Sequence, residues 1–162
     1  MKLINTFATE LPWACEPVVP QPLREPRLLH LNRGLLAELG LEGVSDTDWL
    51  ACCGLGQPLP GMQPVAQIYA GHQFGGYSPR LGDGRALLLG EQLAPDGQGW
   101  DLHLKGAGKT PFSRFGDGRA VLRSSIREYL ASEALHALGI PTTRALVLVG
   151  SKEPVYREQE ET

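Results

Sequence analysis

Glycine and proline divide this chain into short segments, and that division constrains its fold more than any other sequence feature. The 162 residues include 20 Gly and 13 Pro, and both residue types interrupt regular elements and favour turns. The longest stretch that contains neither covers residues 119–138. The sequence therefore predicts short elements joined by many turns, with one long helix.

Two neighbouring segments are typical of an antiparallel hairpin. Residues 86–93 are mostly apolar, and residues 100–105 alternate apolar with polar side chains, as a strand with one buried face does. Residues 95–99 between them, with the sequence PDGQG, are typical of a turn. The pattern predicts two paired strands with Lys105 near the end of the second. Shorter apolar runs predict further strands at residues 65–70 and 143–149.

The longest helix is predicted from about Asp117 to Leu138. Asp117 is a candidate N-cap, and Gly139 followed by Pro141 predicts where the helix ends. Apolar residues form one broad face of this segment, and a second row consists of Val121, Glu128 and Leu135, so Glu128 lies between two apolar residues. Glu128 is therefore an isolated acid on a largely apolar helix.

The N-terminal part of the chain has a different character. Residues 1–30 contain five prolines, which predict an extended, irregular arm that wraps a surface. Helical spacing of apolar residues predicts one short helix over residues 28–41, ending at Gly40, and a second over residues 46–53.

The order of the later elements is that of a protein-kinase amino-terminal lobe. A glycine loop precedes two strands, the second strand ends in Lys105, and a helix carrying Glu128 follows. In such lobes a strand Lys holds nucleotide phosphates and a helix Glu pairs with it. The spacing also allows a surface Lys and a solvated Glu with no shared role.

Two glycine-containing turns are candidate anion contacts. The backbone at Gly82 and Gly84 could approach a phosphate closely, with Arg85 adding a charged fork, although a hairpin turn would need the same glycines. Asp117 and Gly118 could face an anionic or ribose group, although helix capping explains them equally well.

Composition narrows the classes of partner. The net charge of -3 argues against nucleic-acid binding, which depends on a surplus of Lys and Arg. Cys15, Cys52 and Cys53 lack zinc-ligand spacing, so we expect no metal site within the chain. No apolar run is long enough for a signal peptide or a membrane helix, so we expect a cytoplasmic protein without membrane contact.

Five sequence blocks resemble those of the selenoprotein O family and occur in that family's order. They lie at residues 69–75, 81–85, 104–108, 116–128 and 139–146, and weaker similarity at residues 60–62 and 154–158 extends the match. The resemblance implies an α+β, protein-kinase-like N-lobe over residues 61–162, consisting of an antiparallel sheet and one main helix. A proline-rich extension with short helices would precede it over residues 1–60.

The resemblance also implies an activity and a set of site residues. Members of this family bind ATP in a flipped orientation and transfer AMP to Ser, Thr or Tyr hydroxyls of proteins. The implied nucleotide contacts are Gly82, Gly84, Arg85, Lys105, Asp117 and Gly118, with Glu128 as the helix partner of Lys105. Lys105 would then meet the γ-phosphate, so that the α-phosphate faces the acceptor hydroxyl.

The resemblance places other parts of the machinery beyond residue 162. Family proteins are several-fold longer, and their catalytic Asp, the ligands for Mg²⁺ (or Mn²⁺) and two further arginines come later in the chain. We therefore expect this chain alone to be inactive as a transferase. The alternatives are an interaction module, which could self-associate through the surface that the missing lobe would cover, and a uridylyltransferase that uses UTP with Mn²⁺.

Overall fold

The computed structural model describes residues 1–157 and 160–161 and has an α+β architecture of antiparallel sheets and few helices. This confirms the predicted α+β class, and the kinase-like arrangement stays a prediction. In chain order the elements are β1 Leu3–Ile4, α1 Thr6–Glu10, a 3₁₀ turn Pro12–Ala14, β2 Cys15–Pro17, β3 Arg27–Leu31, α2 Arg33–Glu38, α3 Asp46–Leu55, β4 Val65–Gln67, β5 Gly71–Gln73, β6 Gly76–Ser78, β7 Ala86–Leu93, β8 Gly99–Lys105, α4 Leu122–Ala137, β9 Val147–Gly150, β10 Val155–Tyr156 and β11 Glu160–Glu161.

The β7–β8 hairpin forms the centre of the main sheet. Ala86 lies opposite Lys105 and Leu93 lies opposite Gly99, so the two predicted strands and their pairing are confirmed. β7 is buried along most of its length, which explains its continuous apolar run. β8 exposes alternate residues, as its sequence pattern predicted. The hairpin places Lys105 at the end of β8 beside the start of β7.

The N-terminal residues belong to this sheet. β1 pairs with the later half of β7, β4 pairs with its earlier half, and β2 pairs with β4 at the edge. The buried Glu91 carboxylate accepts the N–H groups of Thr6 and Phe7 at 3.0 and 2.8 Å and anchors α1. The predicted irregular arm is therefore wrong over residues 3–17, which form regular elements. Pro17, which lacks an N–H, is tolerated in β2 because β2 lies at the edge of the sheet. The division at residue 60 stays a prediction.

A second layer covers the main sheet. β3 pairs with β9, and α2 and α3 complete a core whose most buried side chains are Leu35, Leu36, Leu41, Trp49, Cys52 and Leu87. The predicted helix over residues 28–41 is wrong in its first half, since residues 27–31 are a strand. Asn32 begins α2 by accepting the N–H of Leu35 at 3.1 Å. The second predicted helix is confirmed as α3, with a capping box between Ser45 and Asp48.

The main helix, α4, begins at Leu122, later than predicted. Val121 occupies the N-cap position without a side-chain hydrogen bond, so the prediction that Asp117 caps this helix is wrong. Its predicted end is confirmed, because Gly139 follows with a φ of 74°. No residue of α4 is buried. Polar contacts are therefore important for holding α4 against the rest of the chain, and Glu128 and Glu133 both make such contacts.

The chain leading into β9 holds the C-terminal half of α4. Arg144, whose side chain is 8% exposed, donates to both carboxylate oxygens of Glu133 at 3.0 and 2.9 Å and to Glu38 at 3.1 Å. Glu133 also accepts the amide of Asn32 and the N–H of Ala145. This network joins α4, α2 and the segment before β9. The predicted strand at 143–149 begins only at Val147 and pairs with β3.

Candidate functional site

Lys105 and Glu128 lie in direct contact. Lys105 Nζ donates to both carboxylate oxygens of Glu128, at 2.6 and 2.5 Å, and the two side chains are 43% and 53% exposed. An ion pair this exposed contributes only about 0–1 kcal/mol to stability. Its main effect is geometric, because it fixes the direction of the ammonium group and links the end of β8 to the N-terminal half of α4.

A cavity of about 220 Å³ adjoins this ion pair. Its wall combines the start of β7, the end of β8, the beginning of α4 and the C-terminal segment, and consists of Arg85, Lys105, Ala120, Val121, Ser124, Ser125, Arg127, Glu128 and Arg157. The predicted Arg85, Lys105 and Glu128 therefore line one cavity although they come from three different parts of the chain. Arg127, Arg157 and the two serines were not among the predicted site residues.

The cavity is strongly cationic for a chain of net charge -3. Its wall holds four basic side chains, Arg85, Lys105, Arg127 and Arg157, and one acid, Glu128, so the lining residues carry a charge of four minus one, or +3. The guanidinium group of Arg and the ammonium group of Lys are favoured ligands of phosphate oxygens in proteins. The lining therefore suits a polyanion.

Arg85 connects the cavity to the glycine turn that precedes β7. Its carbonyl oxygen accepts the N–H groups of Gly106 and Ala107 at 2.7 and 3.3 Å, which fixes its backbone beside the end of β8. Within the described part of the chain, no hydrogen bond or ion pair holds its guanidinium. Arg85 can therefore offer all its donors to a ligand in the cavity.

Gly82 and Gly84 lie against the loop over residues 110–113. A Cβ at Gly82 would overlap the ring of Phe112, and one at Gly84 would come within 3.1 Å of the Phe112 carbonyl. Neither residue has the positive φ of a turn glycine. The glycines therefore permit close packing between loops, and neither is among the residues that line the cavity. Their role as nucleotide contacts stays a prediction.

Asp117 is held beside the cavity by Arg157. The Arg157 guanidinium donates to both Asp117 oxygens at 2.7 and 3.0 Å, and Asp117 also accepts the N–H of Arg119 at 2.8 Å. The Arg157 contact, helped by the Arg119 N–H and opposed by partial burial, lowers the pKa of the Asp117 carboxyl. Asp117 therefore carries its charge at neutral pH and is fixed in orientation.

Gly118 is required by a close approach of two backbones. Its φ is 75°, and a Cβ there would overlap the carbonyl of Gly108. The Gly118 carbonyl in turn accepts the N–H of Gly108 at 3.1 Å. The structure thus gives Gly118 a packing role, and its contact with a nucleotide stays a prediction.

Arg119 joins three segments that are distant in the chain. Its guanidinium donates to the carbonyls of Gln21, Pro22 and Gly106 and to the carboxylate of Glu153. The side chain is only 11% exposed. It therefore ties the N-terminal segment and the C-terminal segment to the loop between β8 and α4. The bond to Glu153 brings the C-terminal segment, which carries Arg157, close to Asp117 in that loop.

Sequence reasoning missed Arg157 because its role depends on a contact 40 residues away in the chain. Arg127 is the last of eight basic residues between positions 80 and 127, and that clustering was the signal that could have identified it. No group of three or more His, Cys, Asp or Glu residues within the described ranges could hold a metal ion.

Comparison with known proteins identifies the family. A family model described as "Protein adenylyltransferase SelO" matches residues 5–162. The chain belongs to this family. Three similar proteins named "Protein nucleotidyltransferase YdiU" come from Aeromonas salmonicida, Aeromonas hydrophila and Myxococcus xanthus and are 98%, 89% and 55% identical to it. The predicted family membership is confirmed, and at the family level the chain belongs with protein nucleotidyltransferases.

The extent of these matches differs between the chain and its relatives. Each of the three alignments covers 100% of this chain but 34% of the relative. The chain therefore spans about a third of the length of the curated relatives it matches. In the residues that the structure describes, no helix combines the length and the apolar character needed to cross a membrane.

Proposed function

We propose that this chain forms the ATP-binding lobe of a protein adenylyltransferase, with a kinase-like arrangement of sheet and helix. The bidentate contact between Lys105 and Glu128 beside a cationic cavity carries the proposal. In protein kinases a strand Lys and a helix Glu form such a pair and direct the ammonium group to the nucleotide phosphates. Membership in an adenylyltransferase family supports AMP as the transferred group.

Each predicted site residue has a role in this proposal. Arg85 and Lys105 bind phosphate oxygens, and Glu128 orients Lys105. Asp117, Gly118, Gly82 and Gly84 are further nucleotide contacts. The Arg157 contact supports the role of Asp117, because a carboxylate already held in one orientation loses little freedom when a ligand binds.

The proposed reaction transfers AMP from ATP to a Ser, Thr or Tyr hydroxyl of a protein. The hydroxyl gives its proton to a general base and its oxygen bonds to the α-phosphorus. The bond between that phosphorus and the oxygen leading to the β-phosphate breaks, so pyrophosphate leaves. A bound Mg²⁺ or Mn²⁺ would neutralise phosphate charge. Because the family resemblance puts the metal ligands and the catalytic Asp beyond residue 162, we expect this chain alone to bind ATP without transferring AMP. We propose a cytoplasmic location.

Titration of the chain with ATP by calorimetry tests the proposal. We expect saturable binding that Lys105→Ala and Arg85→Ala each weaken by roughly tenfold or more, since each removes a charge-assisted contact. Lys152→Ala, which removes an exposed Lys outside the cavity, is the matched control and should bind as the wild type does.

Two results would contradict this proposal in different ways. A wild-type chain that shows no saturable ATP binding would exclude the nucleotide site. Tighter binding of UTP than of ATP in the presence of Mn²⁺ would keep the site but favour a uridylyltransferase.

A second candidate function is an interaction module. The exposed side of α4 favours it, because Leu130 is 65% exposed, Ile126 is 39% exposed, and Leu138 just after the helix is 74% exposed. Exposed apolar residues grouped along one helix are typical of association surfaces. Self-association would be concentration-dependent in light scattering, and Leu130→Asp should abolish it. Val19→Asp, at another exposed apolar residue, should leave it unchanged.

A further inference from the structure

The cavity beside Lys105 contains more cationic groups than the neighbouring carboxylates neutralise. Lys105 is paired with Glu128, and Arg157 is paired with Asp117. In the described residues no carboxylate pairs with either of the other two cations, Arg85 and Arg127. Two guanidinium groups therefore remain available to a ligand.

Arg127 has a fixed backbone and a loosely held side chain. It lies in α4 directly before Glu128, whose contact with Lys105 fixes this turn of the helix against β8. The hydrogen bond of its guanidinium to Ser124 Oγ is long, at 3.5 Å, and the side chain is exposed. A bond of this length is weak. The guanidinium can therefore turn toward a ligand at little cost.

The wall that α4 contributes to the cavity needs a cation if the ligand is a polyphosphate. This wall consists of Ser124, Ser125, Arg127 and Glu128. Without Arg127 it would present two hydroxyls and one carboxylate that Lys105 already neutralises, so it would offer phosphate no positive charge of its own. Arg127 supplies that charge from the position adjacent to Glu128 on the same helix.

We propose that Arg127 is an additional phosphate contact of this cavity, binding the polyphosphate end of the nucleotide together with Arg85. This inference rests on the proposed nucleotide site. A guanidinium can donate two parallel hydrogen bonds to a phosphate, whereas an ammonium acts as a point charge. Because Arg127 binds the polyphosphate end in this proposal, it favours ligands with several phosphates over those with one. Lys replaces it only in part, because an ammonium group lacks the paired donors.

Calorimetric titration of the 162-residue chain with ATP, AMP and tripolyphosphate tests this role. We expect Arg127→Ala to weaken ATP and tripolyphosphate binding by about tenfold and AMP binding by clearly less. Arg127→Lys should restore part of the loss. Arg33→Ala, at an exposed Arg outside the cavity, is the control and should match the wild type. Comparison of ATP with tripolyphosphate separates recognition of a nucleotide from recognition of free polyphosphate.

The outcomes separate this inference from the proposed function. If Arg127→Ala binds ATP as tightly as the wild type while Arg85→Ala binds it weakly, the role of Arg127 is excluded and the nucleotide site stands. If the wild type binds neither ATP nor tripolyphosphate, both ideas fail. An equal loss for ATP and AMP, accompanied by a lower Tm of Arg127→Ala, would show that the residue acts on the fold and would also overturn the inference.

Discussion

Replacing Arg144 with Met tests how α4, which carries Glu128, is held against the rest of the chain. The change removes two hydrogen bonds to Glu133 and one to Glu38, while the unbranched side chain of Met keeps part of the packing. Hydrogen bonds to charged groups contribute about 1.5–3 kcal/mol, but the two bonds to Glu133 act as one bidentate contact. Glu38 is 55% exposed, so its bond adds little.

From these contacts we expect Arg144→Met to lower the free energy of unfolding by about 2–3 kcal/mol at neutral pH. For a domain of this size that corresponds to a decrease in Tm of roughly 5–10 °C. Arg33→Met removes the exposed pair with Asp46 and should cost about 0.5 kcal/mol or less. Urea unfolding followed by circular dichroism measures both variants.

The effect of Arg144→Met should depend on pH with a defined sign. The bonds from Arg144, helped by the Ala145 N–H and Asn32 and opposed by partial burial, lower the pKa of Glu133 in the folded chain. A lowered pKa stabilises the fold above the unfolded value of about 4.3. That contribution is lost as the pH falls through the folded pKa. The difference in the free energy of unfolding between variant and wild type should therefore shrink in acid. A difference that stays constant down to low pH would refute this reasoning, and so would a loss no larger than that of Arg33→Met.

Two other changes test the backbone and the polar contacts around the cavity. Gly118→Ala should lower the free energy of unfolding by about 1–3 kcal/mol, since it adds a clash with Gly108 to an unfavourable φ. Gly97→Ala is the control, because it has open space around it and should show only the smaller cost of its positive φ. Equal losses of the two variants in urea unfolding would argue against the clash. Asp117→Asn should cost about 0.5–1 kcal/mol, because Asp117 and Arg157 are partly exposed. Because the folded pKa of Asp117 is lowered, this loss should be fully present above the unfolded value of about 3.9 and should vanish as the pH falls through the folded pKa. A loss that persists in strong acid would contradict it.

Local patterns predicted the β7–β8 hairpin almost to the residue. Strand alternation and turn residues depend on near neighbours in the chain, so the sequences of residues 86–93 and 99–105 were sufficient to predict the two strands. Residues 27–31 had apolar spacing that also suits a helix. They form a strand because Leu31 pairs with Val147 far along the chain, and propensity yields to such pairing. The start of α4 was missed because the loop from Gly106 to Val121 is held by contacts with distant segments.

The sequence by itself predicted the α+β class, the central hairpin and Lys105 and Glu128 as a candidate pair, because these follow from strand and helix periodicity and from the order of the elements. Only the tertiary structure decided that these two side chains meet, that Arg85 and Arg127 share their cavity, and that Arg157 holds Asp117. The physical reason is range. Periodic patterns act over a few residues, whereas a charged cavity is assembled by elements that come together only when the chain folds.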